Sequence, residues 1–278
     1  MNQIFWAARH NRRLRVLRIS LNPVGSVFCS NGDALLTHGI SVPVTIRENS
    51  VLRELDLSFL ALSSEAGINL IDAVIDNHTL KRLSLRGNQL DDNVALMLPD
   101  LFRCNNVLEE LDLSHNRLGF ASAFAIAESL DANRSLKKLF LEYNRFGGSG
   151  SATLDAFARS IMMNYSLQVL FLDGNKLGPE WGVRLSEALV RNNVLTQVSL
   201  RDNRLDSRSG EALLKAFAHC PYLLELAVTA DEIGNKVYDE FRRVFSRKRA
   251  SIRPDSLVEE TVITTKQNQL LSSYGNTK

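Results

Sequence analysis

Side chains able to do covalent or metal chemistry are thinly spread along this 278-residue chain. Its five histidines (His10, His38, His78, His115 and His219) show no metal-ligand spacing, and no cysteine pair accompanies them. Cys29, Cys104 and Cys220 are odd in number and far apart, which argues for a reducing compartment and no disulfide framework. No Gly-rich phosphate loop, nucleophile elbow or HExxH stretch occurs. Paired acids stand at Glu109-Glu110 with Asp112, but neighbouring acids on one strand read as surface charge, not as a general acid and base. The sequence thus assigns no catalytic residue, no metal site and no cofactor.

What must position any functional side chain is a repeat. LKRLSLRGNQL begins at Leu80 and LEELDLSHNRL at Leu108, both of the form LxxLxLxxNxL. Further copies begin at Leu14, Leu52, Leu136, Leu167, Leu195 and Leu223. The steps between starts are 38, 28, 28, 28, 31, 28 and 28 residues. Each LxL piece alternates in and out, as a three-residue strand does. The remaining length holds a helix. Ala123, Ile126, Ala127 and Leu130 fall on one helical stripe, as do Gly67, Leu70, Ile71 and Val74. The predicted class is therefore α/β, a solenoid with short parallel strands on a concave face and helices on the convex face.

The repeat asparagines Asn22, Asn88, Asn116, Asn144, Asn175 and Asn203 read as a structural ladder. An amide carries both donors and an acceptor and can satisfy the backbone groups stranded where the chain leaves each strand. Leu60 and Asp231 take the asparagine place in two repeats, where the ladder should be imperfect.

Organisation follows from the phase: a lead over 1–13, eight repeats over 14–234, a capping helix over 235–250 and a flexible polar tail over 251–278. The first repeat carries ten extra residues within an insertion at 25–51, expected as a longer loop or irregular helix. The fifth has three extra at Gly147-Gly148-Ser149-Gly150, expected as a flexible tether. Pro99 should kink or shorten the helix over 96–102. Five arginines and no acid in residues 1–32 have the composition of a mitochondrial transit peptide, but Leu14, Leu17 and Ile19 already fit the repeat, and that reading is preferred.

Asn77, Asn133 and Asn164 each open an Asn-x-Ser/Thr triplet. All three stand at one repeat phase just before the strand, which a helix-to-strand turn explains and glycosylation does not. Arg242, Arg243, Arg247, Lys248 and Arg249 form a candidate anionic-surface patch, weighed against the solvated face of a terminal helix. A net charge of +2 makes nucleic acid an improbable partner.

The concave face is the best functional lead. Its central column reads Arg18, Asp56, Ser84, Asp112, Phe140, Phe171, Ser199 and Ala227. Strands lie about 4.8 Å apart, so Phe140 and Phe171 should touch. Tyr143, Glu142, Asp173, His115 and Arg201 are expected around them, with Arg82 further along the face, in the pattern of an interface anchor with a polar rim.

The 28-residue unit, with its LxxLxLxxNxL strand and alanine-rich helix, resembles the ribonuclease-inhibitor-like class of leucine-rich repeats. The resemblance implies a horseshoe that holds protein partners on its inner face, without enzymatic activity. It further implies a cytoplasmic scaffold or subunit of a larger assembly, including those of the cytoskeleton and cilium. Regulation of a small GTPase and binding of an anionic surface through the basic ends are the alternatives. Partner identity and oligomeric state are not written in the sequence.

Overall fold

A computed structural model describes residues 2–20, 42–148 and 150–251. The chain opens with α1 (Asn2–Arg9). Eight strands then form one parallel sheet in chain order: β1 (Val16–Arg18), β2 (Glu54–Asp56), β3 (Arg82–Ser84), β4 (Glu110–Asp112), β5 (Lys138–Phe140), β6 (Val169–Phe171), β7 (Gln197–Ser199) and β8 (Glu225–Ala227). Each residue pairs with the one a repeat later, so Leu55, Leu83, Leu111, Leu139, Leu170, Val198 and Leu226 form one inward row. All are buried, and each contributes roughly 1.5–3 kcal/mol.

The returning segments are α2 (Val42–Glu48), α3 (Ser64–Ile75), α4 (Leu98–Cys104), α5 (Phe120–Ala127), α6 (Ser151–Met163), α7 (Pro179–Arg191), α8 (Ser207–His219) and α9 (Ala230–Ile233), followed by α10 (Asn235–Ser251). Their apolar stripes face the sheet. In α3 a side chain at Gly67 would meet Leu90 at 2.5 Å, so only glycine lets helix and neighbouring repeat approach this closely. Gly210 in α8 stands in the same relation to Ile233, at 2.6 Å.

Local sequence explains two departures. The third return segment is split: a 3-10 turn spans Asp92–Leu96, and α4 begins at Leu98 with Pro99 in its first turn. There the missing proline N–H would have had no helical partner. In the first repeat the described part of the insertion is a regular helix, α2, with Val42 and Ile46 in the core. Asn22, Cys29, His38 and the rest of that insertion (21–41), together with Ser149 and residues 252–278, lie outside the described residues. The sequence reading assigned no element to the lead, yet α1 buries Phe5 and Ala8 in the same core.

The asparagine ladder works through both ends of each amide. Asn88 Nδ2 donates to the carbonyls of Leu57 and Leu85 at 3.0 and 2.8 Å, while its Oδ1 accepts from the amides of Leu60 and Leu62. Asn116 and Asn144 repeat the pattern. Asn175 donates likewise, but its Oδ1 has no partner among the described residues, beside the three-residue insertion. Asn203 continues with Leu172. Leu60 is a core residue instead, and Asp231 sits in α9, so the eighth repeat leaves its strand directly into a helix.

A second ladder, at the helix-to-strand turns, was read from sequence only as turns. Asn49, Asn77, Asn105, Asn133, Asn164 and Asn192 are all buried. Each Oδ1 accepts from the backbone amide three residues on, as in Asn133 to Leu136 at 2.7 Å. Each Nδ2 reaches a carbonyl of the repeat before, as in Asn164 to Leu130 at 2.7 Å. These amides are buried and engaged, so Asn77, Asn133 and Asn164 offer no free nitrogen to a glycan. In the eighth repeat Cys220 Sγ takes the place, 3.1 Å from the Leu189 carbonyl. Twenty-eight residues later Lys248 on α10 donates to the carbonyls of Cys220 and Leu223. With Phe241, buried and stacked 6.0 Å from Phe217, it closes the C-terminal end of the core.

Candidate functional site

Three rows of side chains run across the strand face beyond the buried leucines. The first is the predicted column, held in register: Asp112 opposite Phe140, Phe140 opposite Phe171, Phe171 opposite Ser199. Phe140 and Phe171 are half-buried, and their rings meet edge to face with centroids 5.4 Å apart. That geometry suits the ring quadrupoles.

The second row, two residues further along each repeat, is Ser58, Arg86, Ser114, Glu142, Asp173 and Arg201. The third, just before Leu60 and each ladder asparagine from Asn88 on, is Phe59, Gly87, His115, Tyr143, Gly174 and Asp202, all with φ between 54° and 68°. This left-handed bend turns the chain off the strand, and at a phenylalanine or tyrosine it carries strain. The rings are spread over the next repeat. A side chain at Gly174 would come within 2.5 Å of the Tyr143 ring, and one at Gly87 within 2.2 Å of Phe59. His115 stacks on Tyr143 at 4.4 Å, and Arg86 lies 5.9 Å from the Phe59 ring centre. Phe59 and Arg86 were missed by the sequence reading; taking the residue before each asparagine place, Leu60 included, as a column would have found Phe59.

Tyr143 and His115 thus stack on each other on this bend. Glu142 also departs from expectation. It is not an exposed rim charge but 9% exposed, and its Oε2 has no hydrogen-bond partner among the described residues. Burial, with Asp112 and Asp173 beside it, pushes its carboxyl up to about 8. Burial likewise raises Asp112 and Asp173. Asp112, first read as surface charge, accepts from the amide and hydroxyl of Ser114 at 2.9 and 2.6 Å. Asp173 accepts from the Arg201 amide at 2.8 Å. Burial and the nearby Arg86 hold His115 down at about 4, so its imidazole is neutral.

Charge is handled differently at the other end of the strands. Glu109 Oε1 and Oε2 take the ammonium groups of Lys81 and Lys137 at 2.6 and 2.9 Å, which hold its carboxyl down at about 2. Arg82 pairs with Glu54 and lies 3.7 Å from Glu110. Arg82 is thus neutralised by acids of the neighbouring strands, and Asp56 is held by the amide and hydroxyl of Ser58. Among the described residues, no cation forms an ion pair with Asp112, Glu142 or Asp173.

The basic residues of α10 have different surroundings. Arg242, Arg243 and Arg247 border an open hollow with Asp239 and Ser246, and Arg243 is paired with Glu240. Arg249 leans over Phe245 at 5.5 Å. Lys248 must be removed from the patch: it turns inward, 4.5 Å over the Phe217 ring, and burial lowers its basicity.

Among the described residues no three His, Cys, Asp or Glu side chains are grouped to hold a metal ion, and no helix is long and apolar enough to cross a membrane. The sequence pattern of the leucine-rich repeat family matches residues 76–96 and 104–127. No curated protein matches the chain. Among solved structures it is similar to the leiomodin-1 actin-binding site 2, at 15% identity over 84% of this chain and 98% of that one, with a TM-score of 0.38. It is also similar to the tropomodulin C-terminal domain of Caenorhabditis elegans, at 14% identity over 75% of this chain and 91% of that one, with a TM-score of 0.35. Eight in-register parallel strands in one open sheet, alternating with helical returns, give the α/β solenoid fold of leucine-rich repeats, and two stretches of the chain carry that repeat's pattern.

Proposed function

We propose that this chain is a non-enzymatic interaction scaffold that holds a protein partner on its strand face, anchored at Phe140 and Phe171. The observation that carries this reading is the pair itself. Two large aromatic rings sit half-buried and edge to face on a sheet whose core is already complete beneath them. Aromatic anchors surrounded by polar groups are the usual centres of binding energy in protein interfaces. The strained Tyr143 and Phe59 bends, with rings spread along the same face, support a surface shaped for contact rather than for folding alone. On the resemblance to other leucine-rich arrays, the setting we propose is a larger intracellular assembly of the cytoskeletal or ciliary kind.

The test is photochemical. With p-benzoylphenylalanine in place of Phe171, illumination in cells should join the chain to a distinct protein. Cross-links only within the chain itself would defeat the reading.

A further inference from the structure

We propose that the strand face around Phe140 and Phe171 receives an arginine side chain of the protein partner, its guanidinium held between the aromatic pair and the carboxyl groups of Asp112, Glu142 and Asp173. This rests on the reading of that face as a docking surface and adds the chemistry of what docks there.

The argument starts from charge. Where this chain has acids on neighbouring strands it interleaves cations, as with Lys81, Glu109 and Lys137. Beside the phenylalanines it sets three carboxyl groups, with no described cation paired to any of them. Glu142 is more than nine-tenths buried, and one of its oxygens is unpartnered. Leaving a buried carboxyl without a partner works against folding, and such expense is kept where binding recovers it. Arg86 and Arg201 lie near these carboxyls but form no ion pair with them among the described residues, so what the arrangement lacks is a cation with several donors bonded to it.

Geometry chooses among cations. No group of three ligands is placed to hold a metal ion among the described residues. A lysine ammonium would gain from the acids but little from the rings. A guanidinium is flat, lies over aromatic faces and bonds two carboxylates with separate N–H groups. The chain's own 252–278 segment is a poor occupant, since its single arginine, Arg253, is accompanied by Asp255, Glu259 and Glu260.

Fluorescein-labelled hexaarginine and hexalysine peptides test this by anisotropy, titrated with the full chain at about 50 mM salt, where charge is only partly screened. Hexaarginine should bind the chain about tenfold or more tighter than hexalysine, as expected where charge-assisted bonds and stacking act together. Glu142→Gln combined with Asp112→Asn should weaken hexaarginine about tenfold or more. Phe140→Ala with Phe171→Ala should erase the preference over hexalysine. Glu65→Gln, an exposed acid on α3, should change nothing. Far-UV circular dichroism and a melting curve confirm that each variant is folded; Asp173→Asn alone serves if the double carboxamide variant is not. Hexaarginine binding that ignores the carboxamide changes, or falls equally with Glu65→Gln, would overturn the arginine assignment. If the cross-link from position 171 still forms, the docking face survives that result; if no cross-link forms, the docking face itself fails.

Discussion

Lys248 stands 28 residues after Cys220 and donates its ammonium to the Cys220 carbonyl, with a second bond of 2.7 Å to Leu223. Two repeats earlier the same service is performed by an asparagine: Asn192 reaches back to the carbonyls of Ile161 and Asn164 at 2.7 and 3.2 Å. The terminal helix thus ends the array by continuing its hydrogen-bond period with a different residue type. A solenoid whose last repeat leaves carbonyls unmet at its open end would fray there.

Replacing Lys248 by methionine keeps most of the stem but strips the donors from two backbone carbonyls. The expected loss is about 1–3 kcal/mol, the range for leaving buried polar groups without a partner. Urea unfolding measures it. A midpoint equal to that of the parent would show that Lys248 is only a surface cation.

Cys220 is the weak rung. Its sulfur is a poor donor to Leu189 and offers the following turn no amide oxygen. Cys220→Asn should restore both functions, since the same turn accepts asparagine in six earlier repeats. A gain of about 0.5–1.5 kcal/mol follows from one added net hydrogen bond, read as a higher melting temperature. A lower one would mean that the last turn differs in shape from the others.

Glu142 makes stability depend on pH. Its carboxyl ionises at about 8 in the folded chain against an ordinary 4.5, because it is buried and faces Asp112 and Asp173, with Arg86 only partly offsetting them. The folded state therefore keeps a proton that the unfolded chain releases. The stabilisation is whole below about pH 4.5 and is lost as pH rises through 8. The slope attributable to this group is at most about 1.4 kcal/mol per pH unit. Denaturation midpoints from pH 5 to 9 should fall in the parent and stay flatter in Glu142→Gln, which should also be the more stable of the two at pH 8. Parallel curves would refute the assignment. Glu109 acts in the other sense at lower pH, but it is more exposed and its effect is small.

Phe140 and Phe171 should separate binding from folding. Changing both to alanine removes rings that are only half-buried, so the stability cost should stay below the roughly 2–5 kcal/mol expected for Leu139→Ala in the core. Partner capture should be lost. A double variant that unfolds like the leucine variant would place the rings in the core and remove them from the interface.

By itself the sequence determined the period and, through it, the sheet. Leucines in constant phase can be buried only by stacking one repeat on the next, so strand order, register and the meeting of Phe140 with Phe171 followed from spacing alone. The first asparagine ladder was legible for the same reason, because one residue type recurs at one place of the repeat. Tertiary structure decided what depends on neighbours from two or more repeats at once. Glu142 reads as one more charged loop residue until Asp112 and Asp173 close around it and water is excluded. Lys248 reads as one of a basic run until the helix end places its ammonium over Phe217. Phe59 and Tyr143 read as loop residues until the left-handed bend spreads each ring over the glycine of the next repeat. Burial, and with it charge state and bond partner, belongs to the packed array, because a short repeat excludes no water alone.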